Sequence, residues 1–323
     1  MTVQTRYALV GASGLLALGL VGGLVAYLQG GLQTASAQSR PDQFRYVPAA
    51  AHIVAFANVR DVMRSDFRQR ILEFVVDGTG QREFQERTGI DLEEDIDEVV
   101  ACLVPRGSED SEGLVVLSGR FDVPRLEALA REHGGTVSEY EGRRLVTTTL
   151  GDDTLAMAFV ESGVVALGSE LLVREAINRP STGNDVTSNG RLMGLLSNIE
   201  TGSNAWAIGR LDEPGATNWL PDQVEAQVAA FAIGGRVNGG LSGTVVAEAR
   251  DGAAGQNLHD IIQGLLAIAR MQAGSRPELA RLLDTFQLSA VGTNVSLSFA
   301  LPTEFIEQLL SGLSSAGADA TPR

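Results

Sequence analysis

His52, His133 and His259 are the three histidines of this chain, and none sits at the spacing of a metal-binding histidine pair. Cys102 is the single cysteine. It lies in the apolar run VVACLVP, the setting of a buried, inert thiol, and intrachain disulfides are impossible. Ser242 comes nearest to a nucleophile elbow, but Thr244 stands where G-x-S-x-G needs its second glycine. Glu139 and Glu141, two apart on a strand-like stretch, share a face, yet no second reacting group is marked beside them. The acids Asp91, Glu93, Glu94, Asp95 and Asp97 lack the spaced oxygen ligands and central glycine of an EF-hand loop.

All 25 basic residues are arginine, which excludes lysine Schiff-base chemistry and any lysine-bearing phosphate loop; the G-x-G-x-x-G pattern is also absent. The residues therefore mark no catalytic, cofactor or metal set, and the balance is against an enzyme. What remains is a candidate contact surface. Trp219, beside Pro221, and Arg64 and Arg68, on the polar side of an expected helix, are its members.

The most informative stretch is Ala8 to Leu28, an uncharged run of 21 residues. At ~1.5 Å per residue a helix of this length reaches about 31 Å, enough to cross a bilayer. Ala35-Ser36-Ala37 has the form of a signal-peptidase site, with cleavage after Ala37 leaving Gln38 first. The run is longer than a signal core of ~7 to 15 residues, which favours an uncleaved anchor. Gly19 and Gly23 have the GxxxG spacing that can pair helices into a homodimer, although small residues are common in any apolar leader. Arg6 on the short side and an uncharged stretch from Gln29 to Ser39 give the pattern of export.

Net charge is −15, and taking away residues 1 to 37 removes one positive side chain and leaves −16. Such a field repels phosphate backbones, so nucleic acid is not the expected partner. The expected partners are the membrane, through residues 8–28, and another protein of the envelope. The 44% hydrophobic content is that of a globular protein with a real core.

Coarse elements follow from period and punctuation. His52 to Val59 reads as a strand and Asp61 to Val76 as an amphipathic helix. Asp91 and Glu94 read as the capping box of a further helix. Thr154 to Leu167 reads as a hairpin, the breaker-rich Asn178 to Gly190 as an internal boundary, and Asn238-Gly239 as a hairpin turn. A long helix from about Ala254 carries Leu258, Ile261, Ile262, Leu265 and Ala269 on one wide apolar face, and Val295, Leu297 and Phe299 alternate as a half-buried strand.

This divides the chain into a short basic start (1–7), the membrane segment (8–28) and a flexible linker (29–45). A first α+β unit (46–180), a linker (181–190), a second unit (191–310) and a disordered tail (311–323) follow. The fold class expected is α+β, two tandem related units with helices packed on one face of antiparallel sheets. The stretches YVPAAAHIVAFANVRDVMRSDFRQR, TGIDLEEDIDEVVACLVP and VNGGLSGTVVAEARDGAAGQNLHDIIQGLLAIARMQAGSRPEL resemble a family of uncharacterised exported bacterial proteins, a domain of unknown function with duplicated α+β units. The resemblance implies export and a repeated fold, and brings no activity or functional residues.

The function expected is that of a non-enzymatic binding or scaffold module of the bacterial envelope. It would be single-pass in the inner membrane with its bulk in the periplasm, or secreted if cut near Ala37. Two other readings stay open. One is a carrier of an apolar ligand or lipid along Ile261 to Met271; the other is a hydrolase with an unrecognised site.

Overall fold

In Ile53 to Asn58 the odd positions Ile53, Ala55 and Ala57 and the even positions Val54 and Phe56 are all apolar. A strand apolar on both sides must be covered on both sides. The computed structural model describes residues 41–65, 85–86, 88–107, 110–150, 153–212, 226–237, 240–275, 277–303 and 306, and it places this strand, β1, near the middle of a large antiparallel sheet. A 3-10 turn, Asp42–Tyr46, precedes it.

Five further elements run from β1 to the first exposed edge loop: α1 (Val59–Met63), β2 (Ile96–Arg106), β3 (Asp110–Gly119), α2 (Val123–Glu132) and β4 (Thr136–Tyr140). Then come β5 (Arg143–Leu150), β6 (Asp153–Glu161), β7 (Val164–Ser169), α3 (Glu170–Thr182), α4 (Gly190–Gly194) and β8 (Ala205–Arg210). The last elements are β9 (Val228–Val237), β10 (Gly240–Ala249), α5 (Gly252–Gln272), α6 (Pro277–Asp284), β11 (Gln287–Val291) and β12 (Asn294–Pro302). The described strands form one 12-stranded sheet in the order β11-β12-β10-β9-β8-β1-β2-β3-β7-β6-β5-β4. The class is thus α+β with a large antiparallel sheet and a few helices.

Register assigns each side chain to a face. On the first face, Val54 and Phe56 stand level with Cys102 and Val100 of β2 and with Ile208 and Trp206 of β8. Trp206 is 4% exposed, stacks on Phe56 at 5.6 Å and takes the edge of Phe44 at 6.0 Å. Leu172, Val173 and Ala176 of α3, Val186, and Leu192 and Met193 of α4 complete this core. On the second face, α5 brings Leu258 onto Ile53, Ala55 and Val295, and α2 brings Leu126 onto Phe159 and Val165.

Helices therefore pack on both faces, not on one as the periodicity suggested. The reason is the two-sided apolar pattern of β1 and β2, which a single helical layer would leave half exposed. A second correction concerns Asp91 to Asp97. Asp91 Oδ1 accepts from the backbone N–H of Glu93 and Glu94, and Asp91 N–H is taken by Asp95 Oδ2. The capping contacts form, but they close one turn rather than start a helix. From Ile96 the β-branched run commits the chain to β2.

The breaker-rich stretch is also more ordered than its composition implies. Ser169 caps α3 through Leu172 N–H, and the helix runs past Pro180 to end at Gly183, whose φ of 67° suits a left-handed cap. Val186 and Leu192 then turn fully into the first-face core. No helix among the described residues is long and apolar enough to cross a membrane; residues 8–28 lie outside them.

Candidate functional site

Three strand ends carry polar residues on a face where their neighbours are buried and apolar. Asn58 follows Val54 and Phe56, Glu98 precedes Val100 and Cys102, and Ser118 follows Leu114 and Val116. Register brings them level: Asn58 pairs with Glu98, Glu98 with Ser118, and Ser118 with Val164. Four adjacent strands thus lay one cross-strand row, Asn58-Glu98-Ser118-Val164, along the first face. The Asp42–Tyr46 turn and the first turn of α1 both border the row. Between them lies a cleft of about 440 Å³ lined also by Arg60, Asp61 and Asp97.

Each wall is set by local chemistry. Asn58 Oδ1 accepts from Asp61 N–H at 2.9 Å, capping α1 and fixing where Asp61 stands. Gln43, 5% exposed, donates through Nε2 to Glu98 Oε2 and Ser118 Oγ, both at 2.9 Å. An ionised carboxylate only accepts, so the orientation of this amide is fixed by Glu98. Its Oε1 is left buried without a partner, as is Asp61 Oδ2.

The charges are uneven. Arg60 pairs with Asp97, and Arg45 pairs with Glu161 at 2.7 Å while its guanidinium lies 5.1 Å from the centre of the Tyr46 ring. No arginine among the described residues forms an ion pair with Asp61 or Glu98. Burial first, and the Glu98 carboxylate second, raise the Asp61 pKa above its ordinary value, against the lowering pull of Arg60 and Arg64. The Tyr46 hydroxyl is buried, and Glu161 lies close without meeting it in hydrogen-bond geometry. Burial, then Glu161, push its pKa up to about 12. The cleft is therefore a polar recess with a surplus of acceptors. It is suited to a ligand that donates hydrogen bonds and carries positive charge.

Because the charged form of Asp61 is disfavoured in the folded state, Asp61→Asn is expected to keep or raise stability at neutral pH. Urea unfolding checks this, and a midpoint well below that of the unaltered protein would contradict it.

The residues expected from sequence stand elsewhere. Arg64 is exposed at the C-terminal cap of α1 and acts on the cleft only through its charge near Asp61. Arg68, Trp219 and Ala37 lie outside the described residues. The apolar side of α5 splits: Leu258 turns to the sheet, while Leu265 is 62% and Met271 74% exposed, with Ile261 and Ile268 beside them. His133 Nδ1 rests 2.9 Å from the Leu129 carbonyl of its own helix, and His259 Nδ1 lies 3.2 Å from Asp260. His52 is buried in the core.

Cys102 is 2% exposed, and burial pushes its thiol up to about 12. A thiolate-selective reagent is therefore expected to leave the native protein unlabelled and to react fully in urea. Labelling at the same rate in both states would contradict the packing around β2.

Sequence reasoning passed over Gln43, Asn58, Asp61 and Glu98. The signal present was a polar residue on the buried phase of a strand, at Asn58 and at Glu98. Comparison of the chain with protein-family models, curated proteins and solved structures finds no match.

Proposed function

We propose that this protein is a membrane-tethered binding or scaffold module of the bacterial cell envelope. Residues 8–28 hold it at the inner membrane, the folded part lies on the extracytoplasmic side, and the cleft engages its partner. The observation that carries the reading is the pair of buried, unpartnered acceptors, Gln43 Oε1 and Asp61 Oδ2, in one recess. Leaving buried polar atoms unpaired costs about 1 to 3 kcal/mol each, a cost a fold retains where a ligand relieves it. The lining holds no histidine or cysteine, and Ser118 Oγ is already engaged by Gln43. Recognition rather than group transfer fits this set.

The winding of the chain supports a duplicated α+β unit. From β1 and again from β8 it lays three neighbouring strands in succession, sends a helix over the second face, and returns beside the third strand, β7 beside β3 and β12 beside β10. β4 and β5 extend the first half and have no counterpart. In this reading the two units meet edge to edge at the antiparallel β1 and β8 pair.

Fractionation of the producing cell tests the tether. The chain is expected to stay in carbonate-washed membranes, to retain Ala8–Leu28, and to be cut by protease added to spheroplasts. A soluble chain beginning at Gln38 would overturn the tether. Full protection in intact spheroplasts would overturn the extracytoplasmic placement.

A further inference from the structure

We infer that the cleft binds an organic cation, a primary ammonium or guanidinium group seated between the carboxylates of Asp61 and Glu98 and hydrogen-bonded to Gln43 Oε1. The inference rests on reading the cleft as a binding site and adds the class of ligand. Three independent features point to it.

The first is charge. Of the four carboxylates that line the cleft, Asp97 is held by Arg60, whereas Asp42, exposed at the rim, and Asp61 and Glu98, farther in, have no arginine paired to them among the described residues. Two carboxylates brought together in a partly desolvated site repel, and a cation placed between them removes the repulsion and adds charge-assisted hydrogen bonds.

The second is the buried amide. Gln43 is 5% exposed, its Nε2 is committed to Glu98 and Ser118, and its Oε1 is an acceptor with nothing to accept from. An amide oxygen can take a proton from N–H or O–H but gives none. Asp61, which also lines the recess, has Oδ2 likewise unpartnered, and a multi-proton donor is the class of group that can serve more than one such acceptor. Ammonium has three such protons and guanidinium five.

The third is the donor set. Glu98 is the carboxylate held against the buried amide, and no group of three or more His, Cys, Asp or Glu among the described residues could hold a metal ion. A hard divalent cation asks for six to eight oxygens gathered about one point, and the described side chains of this recess do not converge into such a set. The 440 Å³ volume admits a short alkyl chain behind the charged head, against the Val164 side of the row.

Calorimetric titration of the full chain in detergent, with n-butylammonium, N-methylguanidinium, calcium and neutral butanol, tests the inference. One organic cation or both is expected to bind one site saturably, with butanol and calcium giving no comparable heat. Asp61→Asn and Glu98→Gln are each expected to weaken that binding roughly tenfold or more, as removal of one partner of a desolvated ion pair does. In the unaltered protein the Gln43 side-chain amide resonance is expected to shift with the same saturation, a readout that does not depend on any variant folding.

Equal binding of butanol, binding by calcium alone, unchanged affinity in both variants, or a silent Gln43 amide would each overturn the inference. Butylammonium and methylguanidinium separate an amine from an arginine-like ligand. If neither binds while a partner is still captured at the cleft mouth, the ligand class is wrong and the binding-module reading stands. If no partner is captured either, both fall.

Discussion

Arg179→Ala is expected to lower the unfolding free energy by about 3 kcal/mol. Arg179 lies in the last turn of α3 and is 8% exposed. Its Nη1 donates to the Tyr46 carbonyl at 2.9 Å, and its Nη2 to Glu175 Oε2 at 2.6 Å. The guanidinium thus ties α3 to the 3-10 turn that carries Gln43, across 133 residues of chain. Alanine would leave the Tyr46 carbonyl without this donor and open a space beside it. Glu175 is half exposed, so its loss of a partner is screened and adds little. Urea unfolding measures the effect. An unfolding free energy within about 0.5 kcal/mol of that of the unaltered protein would contradict the role given to Arg179. Arg179→Lys is expected to fall between, since one ammonium cannot match the fork of a guanidinium.

The second large effect is a dependence on pH. His52 is 1% exposed, neither ring nitrogen has a hydrogen-bond partner, and burial lowers its pKa to about 4 from an ordinary 6.5. Above pH 6.5 the ring is neutral in both folded and unfolded chains and contributes no slope. Between 6.5 and about 4 the unfolded chain takes up a proton that the folded chain refuses, so stability falls by ~1.4 kcal/mol per pH unit, roughly 3 kcal/mol in all. Below that both states are protonated and the slope from this group ends.

His52→Leu is expected to remove this limb and to hold or raise stability at pH 7, because it also removes two unpartnered ring nitrogens from the core. Glu127 provides an internal contrast. The hydrogen bonds from Arg144, with help from Arg131, lower its pKa, so its contribution is present at neutral pH and is lost only as pH falls through that depressed value. A pH profile of urea midpoints that is flat from 7 to 5 in the unaltered protein would contradict the burial of a neutral His52.

Local elements were legible where one signal dominated. The alternation of Val295, Leu297 and Phe299 gives β12, Glu161-Ser162-Gly163 turns β6 into β7 with Gly163 at φ 73°, and Ser169 caps α3. β9 and β10 pair across the Asn238-Gly239 position, which itself lies outside the described residues. What was not legible is set by pairing at long range. Nothing in Asp91 to Asp97 tells a capped helix start from a single capped turn, because both use the same first contacts; the β-prone run that follows decides it.

The cleft was illegible for a related reason. Asn58 reads as a helix cap, Glu98 as one more acid in an acidic stretch, and Ser118 as a strand end. Only the register of β1, β2, β3 and β7 turns residues spaced 40, 20 and 46 apart into one row. Gln43 carries no signal of its own, since an amide in a polar leader is unremarked until the turn that holds it is packed against the sheet.

We propose that the cleft on the first face is where this protein meets its partner. Asp42 lines its mouth and is exposed, whereas Leu171 on α3 is 60% exposed and does not line it. A photo-crosslinking side chain placed at each position in turn, in membranes of the producing cell, reads the claim directly. A discrete adduct is predicted from position 42, absent from position 171 and lost when Asp61→Asn and Glu98→Gln are combined with it. The same adducts from both positions, or an adduct at 42 indifferent to those two carboxylates, would contradict the account.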